Sequence, residues 1–332
     1  MADRFYRVDV QKDYAKAGPT DFVELLPAAE GHGLCVRKCT VEILFDAITG
    51  GEMMHVTGPT GSGKTSLIEA LCWPGNFAAL CAALKRDLKP LRVYRIKMVV
   101  FETPGELYHR RALRGGTTFD EESRIVQALR DSARQRDGYV LIWLEEIGRV
   151  MSDTIQGGLL TLMSRDNIVL PDETRIDGRQ IAWIADSNYQ AEQEATHTLA
   201  TFDDAFKRRF TRHLTLSYLP PESEMQVLRH ILRNEKVEEG SLARVVQLGS
   251  AIRRQRAEGK LQSVPPPTIY GYLSFVRLSR SLPELSLYDV ARTTLLGNAN
   301  RDDMNLLPGI FNEVFGVGAA DVEDHAMAGG LL

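Results

Sequence analysis

The chain has 332 residues, of which 44% are hydrophobic and 25% are charged, so it is long enough to bury a large core and to form more than one domain. A formal net charge of −4 excludes a global attraction to nucleic acid or to an anionic membrane, although a local basic patch is compatible with it. The longest apolar run, residues 77–84, is far shorter than the roughly 20 residues of a membrane-spanning helix, and charged residues stand where a signal peptide would be apolar, so we expect a cytoplasmic protein with no membrane partner.

The first predicted elements lead up to a glycine-rich loop. Residues 1–39 show mixed charge and no sustained period, which predicts an extension that packs on the core or reaches a neighbouring molecule. Residues 40–49 carry apolar side chains at helical spacing, and Gly50 and Gly51 predict the end of this helix. A short apolar run then predicts the strand that enters the loop.

Residues 58–65 form a complete Gly-x-x-x-x-Gly-Lys-Thr phosphate-binding motif between this strand and a helix-like run. The glycines allow successive backbone N–H groups to point at one anion, and the following helix adds the positive end of its dipole. Lys64 is expected to reach the outer phosphates, and the Thr65 hydroxyl to hold Mg²⁺. The residues expected to bind the nucleotide are Gly58, Pro59, Thr60, Gly61, Ser62, Gly63, Lys64, Thr65 and Ser66. The motif therefore predicts a nucleoside triphosphate bound with magnesium.

The segment after the loop contains weaker patterns. Residues 77–88 predict a helix and residues 92–101 a second strand. Residues 102–116 contain proline and glycine and are predicted to form a loop. Because acidic residues favour a helix N-terminus, the acidic run at residues 120–122 predicts a helix over residues 121–135.

A continuously apolar run at residues 139–144 predicts a strand that is buried on both faces, as in a parallel sheet. It leads directly into Glu145 and Glu146, which look like a Walker B pair. The first carboxylate would support Mg²⁺, usually through water, and Glu146 would act as the general base that polarises the attacking water. We therefore predict the second half of a hydrolytic site at the end of this strand.

The following segments continue the alternation of helices and strands. Residues 154–163 predict a helix, residues 168–176 a short hairpin region, and residues 181–185 and 213–217 two further strands. Helices that alternate with strands specify an α/β fold with a mostly parallel sheet. Beyond this point the strand pattern stops and helical patterns follow, so we place a domain boundary near residue 219.

Two polar segments between these elements are candidates for catalysis. Asn188 follows a strand, where its amide could hydrogen-bond both the γ-phosphate and the attacking water. Arg208 and Arg209 stand beside apolar residues and are candidates for an arginine finger that reaches a neighbour's nucleotide. A solvated face that pairs with nearby acids is the alternative interpretation of this charge run.

In their order along the chain, these features resemble the AAA+ ATPases and, within them, the MoxR group that includes the CbbQ and NorQ type activators. The resemblance covers about residues 40–310 and follows the order of phosphate loop, helix-2 insert, Walker B strand, hairpin, sensor 1 and an Ala-Phe-x-x-Arg-Phe segment. The roles that it implies are Walker A for residues 58–65, Walker B for Glu145 and Glu146, sensor 1 for Asn188, and the arginine finger for Arg209 with Arg208 as its nearest rival.

The same resemblance implies a domain organisation and an activity. It implies a three-layer αβα P-loop NTPase core over residues 40–219, an all-α lid domain over residues 220–332 and an N-terminal extension over residues 1–39. Members of this group form rings, commonly hexamers, that bind ATP and Mg²⁺ at subunit junctions. We accordingly expect an ATPase that assembles with itself and remodels or activates a client protein, and a von Willebrand A-domain (VWA) protein is the first adaptor to consider.

Other interpretations of the same motifs are open at the level of sequence. A nucleic-acid-stimulated motor of a restriction or mobile-element system would carry them, and so would a slow ATP-gated assembly switch. Two positions depart from the family pattern, because Glu145 stands where Asp is usual and Ile269 where the lid usually has its sensor 2 arginine. Either Arg277 or Arg280 substitutes for that arginine, or the lid is coupled to the nucleotide in another way. In similar rings, the insert that corresponds to residues 108–114 can face the central pore and grip a client.

Overall fold

The structure of the chain is a computed structural model, which describes residues 5–7, 11–26, 33–134, 137–147, 152–188, 202–297 and 299–316. Its β-strands are β1 (Phe5–Arg7), β2 (Phe22–Leu25), β3 (Leu34–Arg37), β4 (Met53–Gly58), β5 (Leu91–Lys97), β6 (His109–Arg114), β7 (Thr117–Glu122), β8 (Tyr139–Glu145), β9 (Ile168–Val169), β10 (Arg175–Ile176), β11 (Ile181–Asn188) and β12 (Arg212–Thr215). Its α-helices are α1 (Gln11–Lys16), α2 (Lys38–Thr49), α3 (Lys64–Cys72), α4 (Pro74–Ala83), α5 (Arg124–Arg134), α6 (Asp153–Leu162), α7 (Asp204–Lys207), α8 (Pro221–Ile231), α9 (Glu239–Ala257), α10 (Ile269–Ser281), α11 (Leu287–Thr294) and α12 (Arg301–Phe315). Short 3-10 turns lie at Met98–Val100, Pro104–Leu107 and Gly178–Gln180.

The main sheet has the strand order β12-β4-β11-β8-β5, and each neighbouring pair in it is parallel. β8 lies between two other strands, and its side chains from Val140 to Leu144 are buried, as its apolar sequence predicts. β5 ends at Lys97, short of the predicted end at residue 101, because a 3-10 turn follows it. The expected α/β fold with a parallel sheet is confirmed.

Helices cover both faces of this sheet. α2 and α3 pack on one face through apolar side chains that include Phe45 and Leu67, and Trp143 projects from β8 into the same core. α5 and α6 pack on the other face through side chains that include Leu129 and Leu159. The architecture is therefore the three-layer αβα arrangement that the resemblance implies.

The chain divides into two compact units, one of residues 1–59 and 63–217 and the other of residues 60–62 and 218–332. The second unit contains α8 to α12, and its described residues form no strand. Buried side chains from these helices form a core of their own. The C-terminal region is helical, as predicted, and α11 is a helix that the sequence pattern did not reveal.

Residues 1–39 contain more regular structure than their sequence predicts. β1 pairs with β2 in parallel and β2 pairs with β3 in antiparallel fashion, so these strands form a small separate sheet. Val23 and Leu25 of β2 are fully buried in the same core as α2 and α3. The extension thus packs on the core, and its strands of three or four residues are too short to show a period.

The segment between β5 and α5 differs from its prediction. β6 and β7 form an antiparallel hairpin where the sequence predicts a loop over residues 102–116 and a helix from residue 121. Gly115 and Gly116 form its turn with φ angles of 56° and 83°. Most side chains of β7 are exposed or half-buried, so the hairpin lacks the apolar alternation that identifies a strand in a sequence. The acidic run belongs to β7, and the Ser123 hydroxyl caps the start of α5 by accepting a backbone N–H hydrogen bond.

The described residues contain no single helix with both the length and the apolar composition of a bilayer span. The consecutive helices α3 and α4 meet these criteria only as a pair, and they are bent by 77° at the break between them. Both helices contribute to the core, through Leu67 of α3 and Leu80 of α4.

Candidate active site at the carboxyl edge of the main sheet

The candidate site lies where β4, β11 and β8 end. β4 ends at Gly58, β11 at Asn188 and β8 at Glu145. Asn188 is paired with Gly58 in the register of β11 and β4, and β11 pairs with β8 on its other side. Because parallel strands have their carboxyl ends at the same edge, the sheet brings together the phosphate loop, the half-buried Asn188 and the Glu145–Glu146 pair.

The loop of residues 58–65 has the backbone conformation that an anion cradle requires. Gly61 and Gly63 have φ angles of 80° and 87°, which residues with a side chain rarely adopt. Gly63 is the N-cap of α3, so no side chain caps the N–H groups of the first turn. The Ser62 hydroxyl is buried and has no hydrogen-bond partner within the described part of the chain. A bound phosphate group would accept hydrogen bonds from these donors, so the loop fits a nucleotide phosphate.

Lys64 is buried beneath this loop, with 6% of its surface exposed. Its ammonium group donates hydrogen bonds to the carbonyl oxygens of Gly58 and Pro59, each at 2.8 Å. Burial lowers the pKa of Lys64 to about 8, although the nearby carboxylates of Asp186 and Glu146 act in the opposite direction. The side chain is therefore largely charged at neutral pH. A bound phosphate could replace the two carbonyl oxygens as the hydrogen-bond acceptor of its ammonium group.

Thr65 and Ser66 lie in the first turn of α3, and both are half-buried. Within the described ranges, no group of three or more His, Cys, Asp or Glu side chains is placed to hold a metal ion. Magnesium in nucleotide sites commonly takes one or two protein ligands and completes its shell with phosphate oxygens and water. The Thr65 hydroxyl, with a carboxylate acting through water, fits that mode of binding.

Glu145 has a partner that the sequence reading missed. Arg95 of β5 donates to both carboxylate oxygens of Glu145, from Nε at 2.8 Å and from Nη2 at 2.5 Å. The Arg95 guanidinium also lies over the Trp143 ring, 4.5 Å from its centroid, and contacts Glu69. These hydrogen bonds lower the pKa of Glu145 despite its partial burial, so its carboxylate is ionised and fixed in position.

Glu146 follows β8 in an unusual backbone conformation, with a φ angle of 56°. For a residue other than glycine, the left-handed conformation costs about 1–2 kcal/mol, so neighbouring contacts must hold it. Asp186 of β11 makes these contacts, because its Oδ1 accepts the Glu146 N–H at 2.6 Å and its carbonyl oxygen accepts the Ile147 N–H at 3.0 Å. The candidate base therefore stands on a turn that β11 fixes.

Asp186 is the second residue of the site that sequence reasoning missed. It is 2% exposed, and the Trp143 indole N–H donates to its Oδ2 at 3.3 Å. Burial raises the pKa of Asp186, while the hydrogen bonds from Glu146 and Trp143 act against that rise. The sequence does contain one indication of its role, because Asp186 is an acid in an otherwise apolar strand that leads to Asn188. A carboxylate that is buried in this way requires hydrogen-bond partners.

The candidate finger residues lie elsewhere. Arg208 and Arg209 are exposed, and among the described residues neither forms an ion pair. Thr211 donates a hydrogen bond to the carbonyl oxygen of Met53 at 3.2 Å, which places this segment beside the first residue of β4. Gly58 is the last residue of that six-residue strand, about 17 Å away at roughly 3.3 Å per residue. The structure therefore does not bring these arginines together with the phosphate loop of the same molecule.

The arginines considered as replacements for Ile269 are engaged within the second unit. Arg277 and Arg280 both form ion pairs with Glu235, at 2.8 Å and 2.9 Å. Ile269 is the first residue of α10, and the Thr268 hydroxyl caps that helix. Both arginines therefore already have an acidic partner within this unit.

No protein-family model matches this sequence, and no curated protein matches it. Among solved structures, the chain is similar to the Thermotoga maritima RuvB Holliday junction branch migration motor, with 11% identity, a TM-score of 0.46 and coverage of 87% of this chain and 85% of that chain. It is also similar to a chain of the HORMA:CdnC:Trip13 complex of E. coli MS115-1, with 14% identity, a TM-score of 0.45 and coverage of 78% and 80%. At these identities the likeness concerns the fold alone.

Proposed function

We propose that this chain is an AAA+ ATPase of the MoxR type, which hydrolyses ATP with Mg²⁺ at the junctions of a homo-oligomeric ring and thereby remodels or activates a partner protein. The observation that carries the proposal is the shared edge of the main sheet, where the phosphate loop and its buried Lys64 meet Glu145 and Glu146. Hydrolysis of the phosphoanhydride bond of ATP needs a positioned phosphate and a group that orients water, and the residues at this edge would supply both.

The phosphate loop and α3 would bind the triphosphate. The uncapped N–H groups of the first turn and the Ser62 hydroxyl would donate to phosphate oxygens, and Lys64 would place its charge on the outer phosphates. Thr65 would hold Mg²⁺, with Glu145 supporting it through water. When bound, Mg²⁺ supplies positive charge that stabilises the transferred phosphoryl group.

Glu146 and Asn188 would act on the attacking water. Glu146 is the general base in this assignment, because it follows β8, which only β11 separates from the strand of the phosphate loop, and because its carboxylate is not the one held by Arg95. Asn188 ends the adjacent strand opposite Gly58, so its amide can orient the water and contact the γ-phosphate.

A second copy of the chain would complete the site. Arg209 is exposed and lies beside the amino end of β4, whereas the phosphate loop follows the carboxyl end of that strand. An arginine finger placed there can serve only a neighbour's nucleotide, and Arg208 is the alternative donor. This arrangement supports a ring, commonly a hexamer in the group that the sequence resembles.

The exposed hairpin of β6 and β7 would contact the partner protein that the ATPase remodels or activates. Leu113 near its turn is 72% exposed, and Arg111 is exposed beside it. A VWA-domain adaptor is the first partner that we would test. Affinity capture with the Glu146→Gln protein in the presence of ATP should retain the client, because the substitution blocks the hydrolysis that would release it.

The test of the proposed activity is the Glu146→Gln substitution. We expect it to retain ATP binding and to lower kcat by about 100-fold or more, because the phosphate cradle stays intact while the base is removed. ATP affinity measured by titration and turnover measured by phosphate release give the two readouts.

Glu173→Gln is a matched control for this test. Glu173 is also a glutamate with a positive φ angle, 62°, but it lies exposed between β9 and β10. We expect its substitution to leave both ATP affinity and kcat unchanged. Full turnover by the Glu146→Gln protein would contradict the assignment of the base.

A further inference from the structure

Asp186 is a buried acid whose position links the two halves of the candidate site. It lies in β11, which separates the strand that leads to the phosphate loop from the strand that ends at Glu145. Within the register, Asp186 is paired with Val56 of β4, and the preceding Ala185 is paired with Leu144 of β8. Its carboxylate therefore lies at the edge of the sheet where the chemistry would occur.

The contacts of Asp186 are concentrated on the turn that carries Glu146. The Asp186 side chain accepts the Glu146 N–H at 2.6 Å, and its main chain accepts the Ile147 N–H at 3.0 Å. The Trp143 indole N–H donates to the other carboxylate oxygen at 3.3 Å and so fixes the rotation of the carboxylate. One residue of β11 thus holds the backbone on both sides of the Glu146 carbonyl group.

The adjacent end of β8 is fixed independently. Arg95 binds both oxygens of Glu145 and so restrains the side chain of the residue that precedes the turn. The next residue, Glu146, has the left-handed backbone conformation, with a φ angle of 56°. The hydrogen bond from the Glu146 N–H to Asp186 acts on this backbone directly.

We propose that Asp186 is a positioning residue for hydrolysis, which fixes the left-handed turn at Glu146 and so directs that carboxylate toward the attacking water. The inference rests on the proposed function, because it assigns the residue that aligns the proposed base. Asp186 acts through Glu146 and does not itself take up the proton. A base displaced by about 1 Å can lose about 100-fold in rate, so the alignment of this turn controls the reaction.

Two substitutions separate the hydrogen bond from the charge of Asp186. Asp186→Ala removes the acceptor of the Glu146 N–H, and we expect kcat to fall by about 10- to 100-fold while ATP affinity changes by less than about threefold. Asp186→Asn keeps an acceptor oxygen for that N–H and gives up only the longer hydrogen bond from the Trp143 N–H, so we expect it to retain kcat within about fivefold of the unsubstituted protein. Binding of a fluorescent ADP analogue with Mg²⁺ provides a readout that does not depend on turnover.

Ser187→Ala is the matched control for these variants. Ser187 is the next residue of β11, is 6% exposed, and bonds the His55 ring at 2.8 Å on the opposite face of the sheet. Its substitution also removes one partly buried side-chain hydrogen bond from β11 but leaves the Glu146 turn intact. We expect kcat to stay unchanged, and a thermal melt of each variant confirms that it is folded.

A double substitution tests whether Asp186 acts through Glu146. Adding Asp186→Ala to Glu146→Gln should cause no further loss of kcat, because the base that Asp186 positions is already absent. An additional loss in the double variant, or weakened Mg²⁺-dependent binding in Asp186→Asn, would overturn the positioning role. Full activity of Asp186→Ala would do the same. An unsubstituted protein that hydrolyses no ATP would instead contradict the proposed function.

Discussion

The ammonium group of Lys64 is held by two carbonyl oxygens of its own loop, and this burial has a consequence for nucleotide binding. The pKa of Lys64 is lowered from 10.5 to about 8, so the nucleotide-free protein loses this proton as the pH rises through about 8. In the proposed site the charged form of Lys64 would bind the triphosphate, so ATP affinity should weaken by up to about tenfold per pH unit between pH 8 and pH 10. Equilibrium titration across this range measures the effect.

Lys64→Arg is the control for this pH dependence. The guanidinium group stays charged throughout the range, so the affinity of this variant should not fall with pH, whatever its absolute value. If the ATP affinity of Lys64→Arg falls with pH in the same way as that of the unsubstituted protein, a group other than Lys64 causes the change.

Individual residues of the site differ in how well the sequence reveals them. The sequence predicts roles for Lys64 and Thr65 because the phosphate motif has fixed spacing along the chain. Arg95 and Asp186 escape it because their contacts join residues that are 50 and 40 positions apart. Such contacts depend on which strands are neighbours and on their register. No local pattern in the sequence specifies either of these.

The secondary-structure elements also differ in how well the sequence predicts them. β8 is predicted correctly because a strand buried on both faces has a continuous apolar sequence. The β6–β7 hairpin is missed because its side chains are mostly exposed and charged, so its pattern resembles that of a loop. The small N-terminal sheet is missed because its strands contain three or four residues. Burial and length thus decide which elements a sequence pattern can show.

The contrast between α5 and the hairpin predicts a difference in stability. Leu129 of α5 is fully buried, so Leu129→Ala should lower the free energy of unfolding by about 2–5 kcal/mol. Leu113 of β6 is 72% exposed, so Leu113→Ala should change it by less than about 0.5 kcal/mol. Urea unfolding of the two variants measures both changes in the free energy of unfolding. Equal changes would contradict this prediction and would show that Leu113 is buried in solution, for example against a second copy of the chain.

At the scale of the whole fold, the residues of the proposed hydrolytic site do not all lie at the same edge of the main sheet. Glu146 follows the carboxyl end of β8, whereas Arg209 lies beside the amino end of the parallel strand β4. A six-residue strand lies between these two edges, so one chain cannot bring both groups to the same phosphate. In the proposed ring with head-to-tail contacts, every junction would combine the base of one copy with the finger of the next.

Mixing two inactive proteins measures whether each site is shared in this way. Glu146→Gln and Arg209→Ala should each bind ATP and fail to hydrolyse it, because one lacks the base and the other lacks the finger. After random assembly in equal amounts, about a quarter of the junctions combine an intact base with an intact finger, so the mixture should recover up to about a quarter of the original turnover. An equal mixture of Glu146→Gln with Arg208→Ala identifies which arginine is the finger. A mixture of Glu146→Gln and Arg209→Ala that stays inactive, or an Arg209→Ala protein that hydrolyses ATP at the full rate by itself, would contradict a site built by two copies of this chain with Arg209 as its finger.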